Sequence, residues 1–289
     1  MKIGVFGNCQ APGFAASIKD LTGWEPHTYR IQEARTASAE ELQRESDAMA
    51  ACDVVFSQPS ISATEYGPLS FEALKGRCAR LIPYPHIAFT GLHPDCHYIR
   101  PDGVAMTGPM GPYHSAIVAA SFQEGLSPER VCALFNKYAY ALLGYLSMEP
   151  ERQPLVRDAK KYGYDFTSFL QGDRGVFMHT PNHPAINVIF DAARQALCIA
   201  GLLSPADDRS DAMPRDILLD SVVWPVYPEI AHAFRIPERE VVFQIRSTKP
   251  RMRLEEFVAR AYEAYRAFAK PFTTVQIEAA RTFIRSEVA

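Results

Sequence analysis

The feature that most limits how this chain can fold is an alternation of two periodicities over its first hundred residues. "KIGVFG" is a strand-like apolar run, "APGFAASIKDL" has helical spacing, and "HTYRIQ" is strand-like again. "SAEELQRESDAMAAC" is helical and opens on a Ser38 to Glu41 capping box; "DVVFSQ" returns to strand character, followed by a short helical "LSFEALKG" and by "ARLIPYP". This alternation is the signature of a parallel sheet flanked by helices, with ligands expected beyond the carboxyl ends of the strands. Cys9 and Gln58 both fall at such ends.

From residue 84 the pattern stops. "YPHIAFTGLHPDCHYIRPDGVAMTGPMGPYHS" is rich in Pro, Gly and His and has no sustained period, which predicts a functional loop region. Beyond it, "SAIVAASFQEGL", "SPERVCALFNKYAYALLGYL", "HPAINVIFDAARQALCIAGLL", "RLEEFVARAYEAYRAFAK" and "TTVQIEAARTFIRSEV" carry apolar residues at helical spacing. With 289 residues there is room for one large or two ordinary domains. The expected division is an α/β subdomain with a loop-rich end over 1–115 and a mainly helical part over 116–289 packed on it.

A net charge of −3 gives no long-range field for nucleic acid. No apolar stretch approaches the roughly 20 residues of a membrane span, and the first residues are strand-like rather than a basic and apolar leader, so the expected location is cytoplasmic. The six cysteines have no short repeating spacing, as free thiols in a reducing compartment would. Cys52, Cys132 and Cys198 sit in helical contexts as small buried hydrophobes, whereas Cys9 and Cys96 lie among turn residues. "HPDCH" offers His93, Cys96 and His97, but Pro94 breaks the helix that would pair the imidazoles and no fourth ligand stands at a recognisable spacing, so no metal is expected.

Chemistry concentrates at Gly7-Asn8-Cys9-Gln10. A thiol where a strand gives way to a helix sits near backbone N–H groups that lower its pKa and favour anions. Cys9 is therefore a candidate nucleophile, or the lining of a thioester site, with Asn8 and Gln10 as neutral donors to a developing oxyanion. The alternative is a cysteine that merely fits a tight turn. "GVFGNCQ" lacks the G-x-G-x-x-G spacing and no phosphate loop is present, which argues against a dinucleotide or nucleotide fold of those types. His114 and His183 each stand just ahead of a predicted helix, with Pro184 as its expected first residue after His183. An imidazole there is held neutral and can serve as a general base, or else simply caps the helix or packs in the core. The basic run "RSTKPRMR" is either a solvated face or a phosphate-neutralising patch, with Lys160, Lys161 and Arg174 as lesser candidates.

GNCQ, SQPS, "PYPHIAFTGLHPD", "GPYHSA" and "VFMHTPNHPAINVIF" occur in an order and spacing that resemble the WcbI family, capsule-pathway polysaccharide-biosynthesis enzymes regarded as coenzyme A-dependent acetyltransferases. The resemblance covers residues 1–205 and is clearest in GNCQ and TPNHP. It implies an α/β subdomain with a flavodoxin- or SGNH-like parallel sheet, merged into a mainly helical, cradle-like fold that holds coenzyme A or acetyl-coenzyme A in a loop-rich pocket. The acceptor it implies is a small-molecule or nucleotide-linked sugar, and other enzymes of the polysaccharide pathway are the implied partners. Position by position, Gly7, Asn8, Cys9 and Gln10 match the family's first motif, Gln58 the second, and Asn182 and His183 the last; with His114 from the residue-level reading, Cys9, His114 and His183 are the catalytic candidates and Gly7, Asn8, Gln10, Gln58 and Asn182 the cofactor-binding ones. Cys9 either carries the acetyl group or contacts the thiol end of the cofactor. The first turn is also similar to the nucleophile turn of SGNH hydrolases, with Asn8 and Cys9 in place of Asp and Ser. No Asp-x-x-His follows near the C-terminus, where His232 stands alone. An esterase and a non-catalytic coenzyme A-binding protein remain the rival functions.

Overall fold

A computed structural model describes residues 1–171, 175–207, 213–268 and 270–288. The chain forms two compact units, each discontinuous in sequence: 1–88 with 154–168 and 183–218, and 89–153 with 169–182 and 219–289. A single division near residue 115 does not describe it. The physical reason is the helix Ile186–Ile199, which comes from the second half of the chain and packs along a helix of the first.

The first unit is built on a four-stranded parallel sheet in the order β2-β1-β3-β4, from β1 (Ile3–Gly7), β2 (His27–Arg30), β3 (Val54–Ser57) and β4 (Leu81–Pro83). β1 and β3 are buried at every position, as central strands covered on both faces must be, whereas edge strand β2 has none of its four residues buried. The strand expected over "HTYRIQ" ends at Arg30, after which Ile31–Ala34 turns as one helical turn. Helix α1 (Ala11–Thr22) follows β1 and lies against Ile186–Ile199. A Cβ at Gly13 would stand 3.3 Å from Ile189 Cδ1, so the missing side chain allows the close approach. Phe14 stacks on Tyr84 with centroids 4.3 Å apart and meets Phe56 edge-on. The capping box forms as read: Ser38 Oγ accepts from the Glu41 N–H at 3.2 Å and Glu41 Oε2 from the Ser38 N–H at 2.8 Å.

In the second unit the aperiodic stretch holds an antiparallel hairpin, β5 (Cys96–Tyr98) against β6 (Tyr113–Ser115), which pairs His97 with His114 and Tyr98 with Tyr113. The helix Ala116–Gln123 follows, buried over six of its eight residues, and packs against Leu254–Ala267 and Val275–Glu287. Its start is held by Ser115 Oγ, which accepts from the Val118 N–H at 3.0 Å, and by Asp95, whose Oδ1 accepts from the Ile117 N–H at 2.9 Å. The helix expected over "SPERVCALFNKYAYALLGYL" is two, Pro128–Ala133 and Lys137–Leu142, because Asn136 Oδ1 accepts from the Ala139 N–H and caps a new start.

Candidate functional site

In a sheet of order β2-β1-β3-β4 the neighbours of β1 lead away in opposite directions, so the crevice at its carboxyl end is the topological switch point. Gly7-Asn8-Cys9-Gln10 occupies that end. Gly7 is required by close approach: a Cβ would overlap the Tyr84 hydroxyl and come within 3.2 Å of Gln58 Cδ. Gln58, at the end of β3, accepts the Asn8 N–H on Oε1 at 3.0 Å. Asn8 Oδ1 in turn accepts from the Gln10 N–H at 2.9 Å, and the Asn8 carbonyl from the Ala11 N–H at 3.0 Å. Two N–H groups of the strand-to-helix turn thus point inward, onto Asn8 itself. Among the described residues nothing accepts from Asn8 Nδ2, and Asn8 is partly exposed.

Cys9 is likewise partly exposed, but its thiol does not have the lowered pKa expected of a helix start. Burial pushes it up to about 11, with only its own backbone N–H acting in the other direction. The inward-turned donors explain the difference, since the groups that would have stabilised a thiolate are engaged elsewhere. Gln10 also differs from expectation. It is buried, its Nε2 donates to the Ile87 carbonyl at 2.7 Å, and its Oε1 accepts from the Ile87 N–H at 3.2 Å. A side chain read as an oxyanion donor is a two-point clamp on the segment after β4. His86, adjacent to the clamped residue and exposed, is a neighbour of the site that the reading of histidines ahead of helices passes over.

His183 also belongs to the first unit, where it is 8 % exposed. Pro184 does not open the helix after it. His183–Pro184 is extended and the helix starts at Ile186, whose N–H donates to Asp216 Oδ2 at 2.9 Å. The sequence gives no local sign of Asp216, thirty positions away.

His114 and Asn182 lie in the second unit. His114 is 1 % exposed, with Nε2 3.1 Å from the Met106 carbonyl and Nδ1 3.3 Å from the Tyr265 hydroxyl, and burial lowers its pKa. It is bonded at both nitrogens within a core, which leaves no nitrogen for the role of base expected of it. Asn182 Oδ1 accepts from the Tyr113 hydroxyl at 2.7 Å and from Thr180 Oγ1 at 3.2 Å, and its Nδ2 donates to Tyr98 at 3.1 Å. The amide of this cofactor-binding candidate ties Tyr98 and Tyr113 together beside a cavity of about 400 Å³ lined by His97, Tyr98, Tyr113, Tyr145 and Pro181. The tyrosines stood in "HPDCHYIR" and "GPYHS" and were masked there by the histidines beside them.

His93 is fully buried between the carbonyls of Met178 and Pro225, and Cys96 is buried in β5. Among the described residues no group of three His, Cys, Asp or Glu is arranged to hold a metal ion. Lys161 lies over the Tyr162 ring, and Arg174 lies outside the described residues. No helix among the described residues is long and apolar enough to cross a membrane.

Sheet order and turn together define an α/β protein with its candidate chemistry at the strand ends. The chain belongs to the WcbI family: the family model described as polysaccharide biosynthesis enzyme WcbI matches residues 2–204. A solved structure of WcbI, described as a novel polysaccharide biosynthesis enzyme in its native form without a disulfide bond between coenzyme A and a cysteine, superposes with a TM-score of 0.72 at 18 % identity, covering 99 % of this chain and 95 % of that one. No curated protein matches the sequence. The family is one of enzymes, and the likeness extends to the part of the fold beyond residue 204.

Proposed function

We propose that this chain transfers an acetyl group from acetyl-coenzyme A to a hydroxyl of a carbohydrate during polysaccharide biosynthesis. The observation that carries the reading is the turn at the switch point, where Asn8 Nδ2, for which nothing accepts among the described residues, and a partly exposed thiol stand on consecutive residues. The family and the coenzyme A in the description of the structural neighbour support the choice of cofactor. Bound there, acetyl-coenzyme A supplies an acetyl group activated as a thioester. Asn8 Nδ2 and the Cys9 N–H, which among the described residues meets no acceptor but its own sulfur, are the two donors for the oxygen that gains charge as the acceptor hydroxyl attacks. His183 takes the hydroxyl proton and returns it to the departing thiolate. Cys9, protonated at neutral pH, lines the thioester end and does not carry the acetyl group. Gln10, Gln58 and Gly7 fix the turn. On this reading the reaction is cytoplasmic, with a free or nucleotide-linked sugar as acceptor.

Calorimetric titration with coenzyme A tests the cofactor, and micromolar or tighter binding is expected; absence of heat ends the reading. Release of coenzyme A from acetyl-coenzyme A on addition of an acceptor tests the reaction. Asn8→Ala is expected to lower kcat about 100-fold. Cys9→Ser is expected to keep most of the rate, and a burst of coenzyme A before acceptor is added would restore the covalent route. Release of acetate from simple esters without coenzyme A would favour a hydrolase.

A further inference from the structure

We infer that a second cavity, wholly within the second unit, binds a phosphate or diphosphate carried on an apolar chain. The cavity measures about 260 Å³, and its walls include Met178, Leu219, Val223, Trp224 and Val242. Its polar lining is His179, Arg239, Glu240, Gln244 and Arg251. Gln244 is the neutral amide among them, and its Oε1 already accepts from Arg251 Nε at 3.1 Å. The apolar walls suit a hydrocarbon chain, which needs no hydrogen-bond partner.

The same cavity carries Arg239 and Arg251. Among the described residues neither is paired with a carboxylate; Glu240, also at the cavity, reaches Arg253 at 4.0 Å. With Nε held by Gln244, Arg251 keeps both terminal nitrogens available as a fork, the geometry that suits phosphate oxygens. Arg246 and Lys249 stand on the exposed turn that follows the strand Gln244–Ile245 and leads back to Arg251. This turn contains the basic run of the sequence, and the acyl-transfer reading makes no use of it. Apolar walls with unpaired guanidinium groups select an anion with a hydrocarbon tail, either free in solution or presented by a lipid bilayer.

The chain has two tryptophans, Trp24 and Trp224, so the full-length Trp24→Phe variant reports from the cavity wall alone. Titration with geranyl diphosphate is expected to change its emission saturably. Inorganic diphosphate and geraniol are each expected to bind more weakly by roughly tenfold or more, and Arg251→Gln and Arg239→Gln in the same background should each weaken geranyl diphosphate to a similar degree. Co-sedimentation with phosphatidylglycerol vesicles, but not phosphatidylcholine vesicles, assigns the ligand to a bilayer; absence of co-sedimentation with geranyl diphosphate binding intact assigns it to solution. Either supports the site. No saturable change, or an affinity unmoved by both arginine substitutions, overturns it. So does coenzyme A competing with geranyl diphosphate, since the cavity would then belong to the cofactor. Binding of coenzyme A without competition leaves the acyl-transfer reading standing whichever way the cavity result falls.

Discussion

At Gly7 the absence of a side chain lets the Tyr84 ring, stacked on Phe14, bring its hydroxyl under the turn that presents Asn8 and Cys9. Gly7→Ala inserts a methyl into that contact, and overpacking of this kind costs about 1–3 kcal/mol. Tyr84→Phe removes the atom it would overlap. The double variant should therefore recover much of the loss, which urea unfolding of the four proteins in the cycle measures; additive effects would show that the hydroxyl is not the obstacle. Cys9 gives a second test at this scale. A thiol pushed from 9.0 to about 11 carries roughly a hundredfold less thiolate at neutral pH than an unperturbed one. Alkylation of Cys9 by iodoacetamide at pH 7, followed by mass spectrometry, should be slower than that of a free thiol by about that factor. Labelling as fast as a free thiol would remove the argument against a covalent intermediate.

Secondary-structure elements were readable in sequence where their signals are local. Ser38 and Glu41 are three positions apart and each satisfies an N–H of the other's backbone, so the helix Ala39–Ala50 announces its own start. Ser38→Ala should cost about 1 kcal/mol in thermal or urea unfolding. The contacts that shape the site are not local. Gln10 reaches Ile87 across 77 positions, and both residues are buried, so the clamp is invisible in the sequence although each residue type is ordinary. Gln10→Ala leaves the Ile87 N–H and carbonyl without these partners, at a cost of roughly 2 kcal/mol. Hydrogen exchange should show faster exchange of the Ile87 amide, and activity should fall through displacement of the segment rather than loss of a donor. Gln10→Glu sets a buried carboxylate oxygen against the Ile87 carbonyl and should cost at least as much as Gln10→Ala at neutral pH. The same distance problem hid Asp216, which holds the start of the helix Ile186–Ile199, and the tyrosine pair joined by Asn182. Cys9 and Gln58 were legible because strand ends are, and the sheet brings them to neighbouring positions.

For the molecule as a whole, the balance between buried acids and bases sets its response to pH. The "HPDCH" motif, whose residues suggest ligands, instead supplies two ionisable groups with no exposed surface. Burial lowers His93 from 6.5 to about 4, so between those values the unfolded chain binds a proton that the folded chain refuses, and stability falls as pH drops through that window. Asp95 acts in the opposite direction. Burial raises it from 3.8 to about 6 despite hydrogen bonds from Ser115, the Ile117 N–H and Tyr227; the folded chain then holds a proton the unfolded chain has lost, and stability rises as pH drops from 6 towards 4. At about 1.4 kcal/mol per unit each group is worth on the order of 3 kcal/mol over its window, so the two nearly cancel. His97, lowered to about 4 by burial, tips the sum towards loss of stability in acid. Asp95→Asn keeps an oxygen for the Ile117 N–H while removing the offset. Urea midpoints from pH 7 to pH 4 should therefore fall more steeply for Asp95→Asn than for the natural chain. His93→Gln should make the same curve shallower, since the proton the natural folded chain refuses has no site in either state of the variant. If the two substitutions shift the slope in the same direction, the opposed protonation of these neighbours in the core is not what governs acid stability.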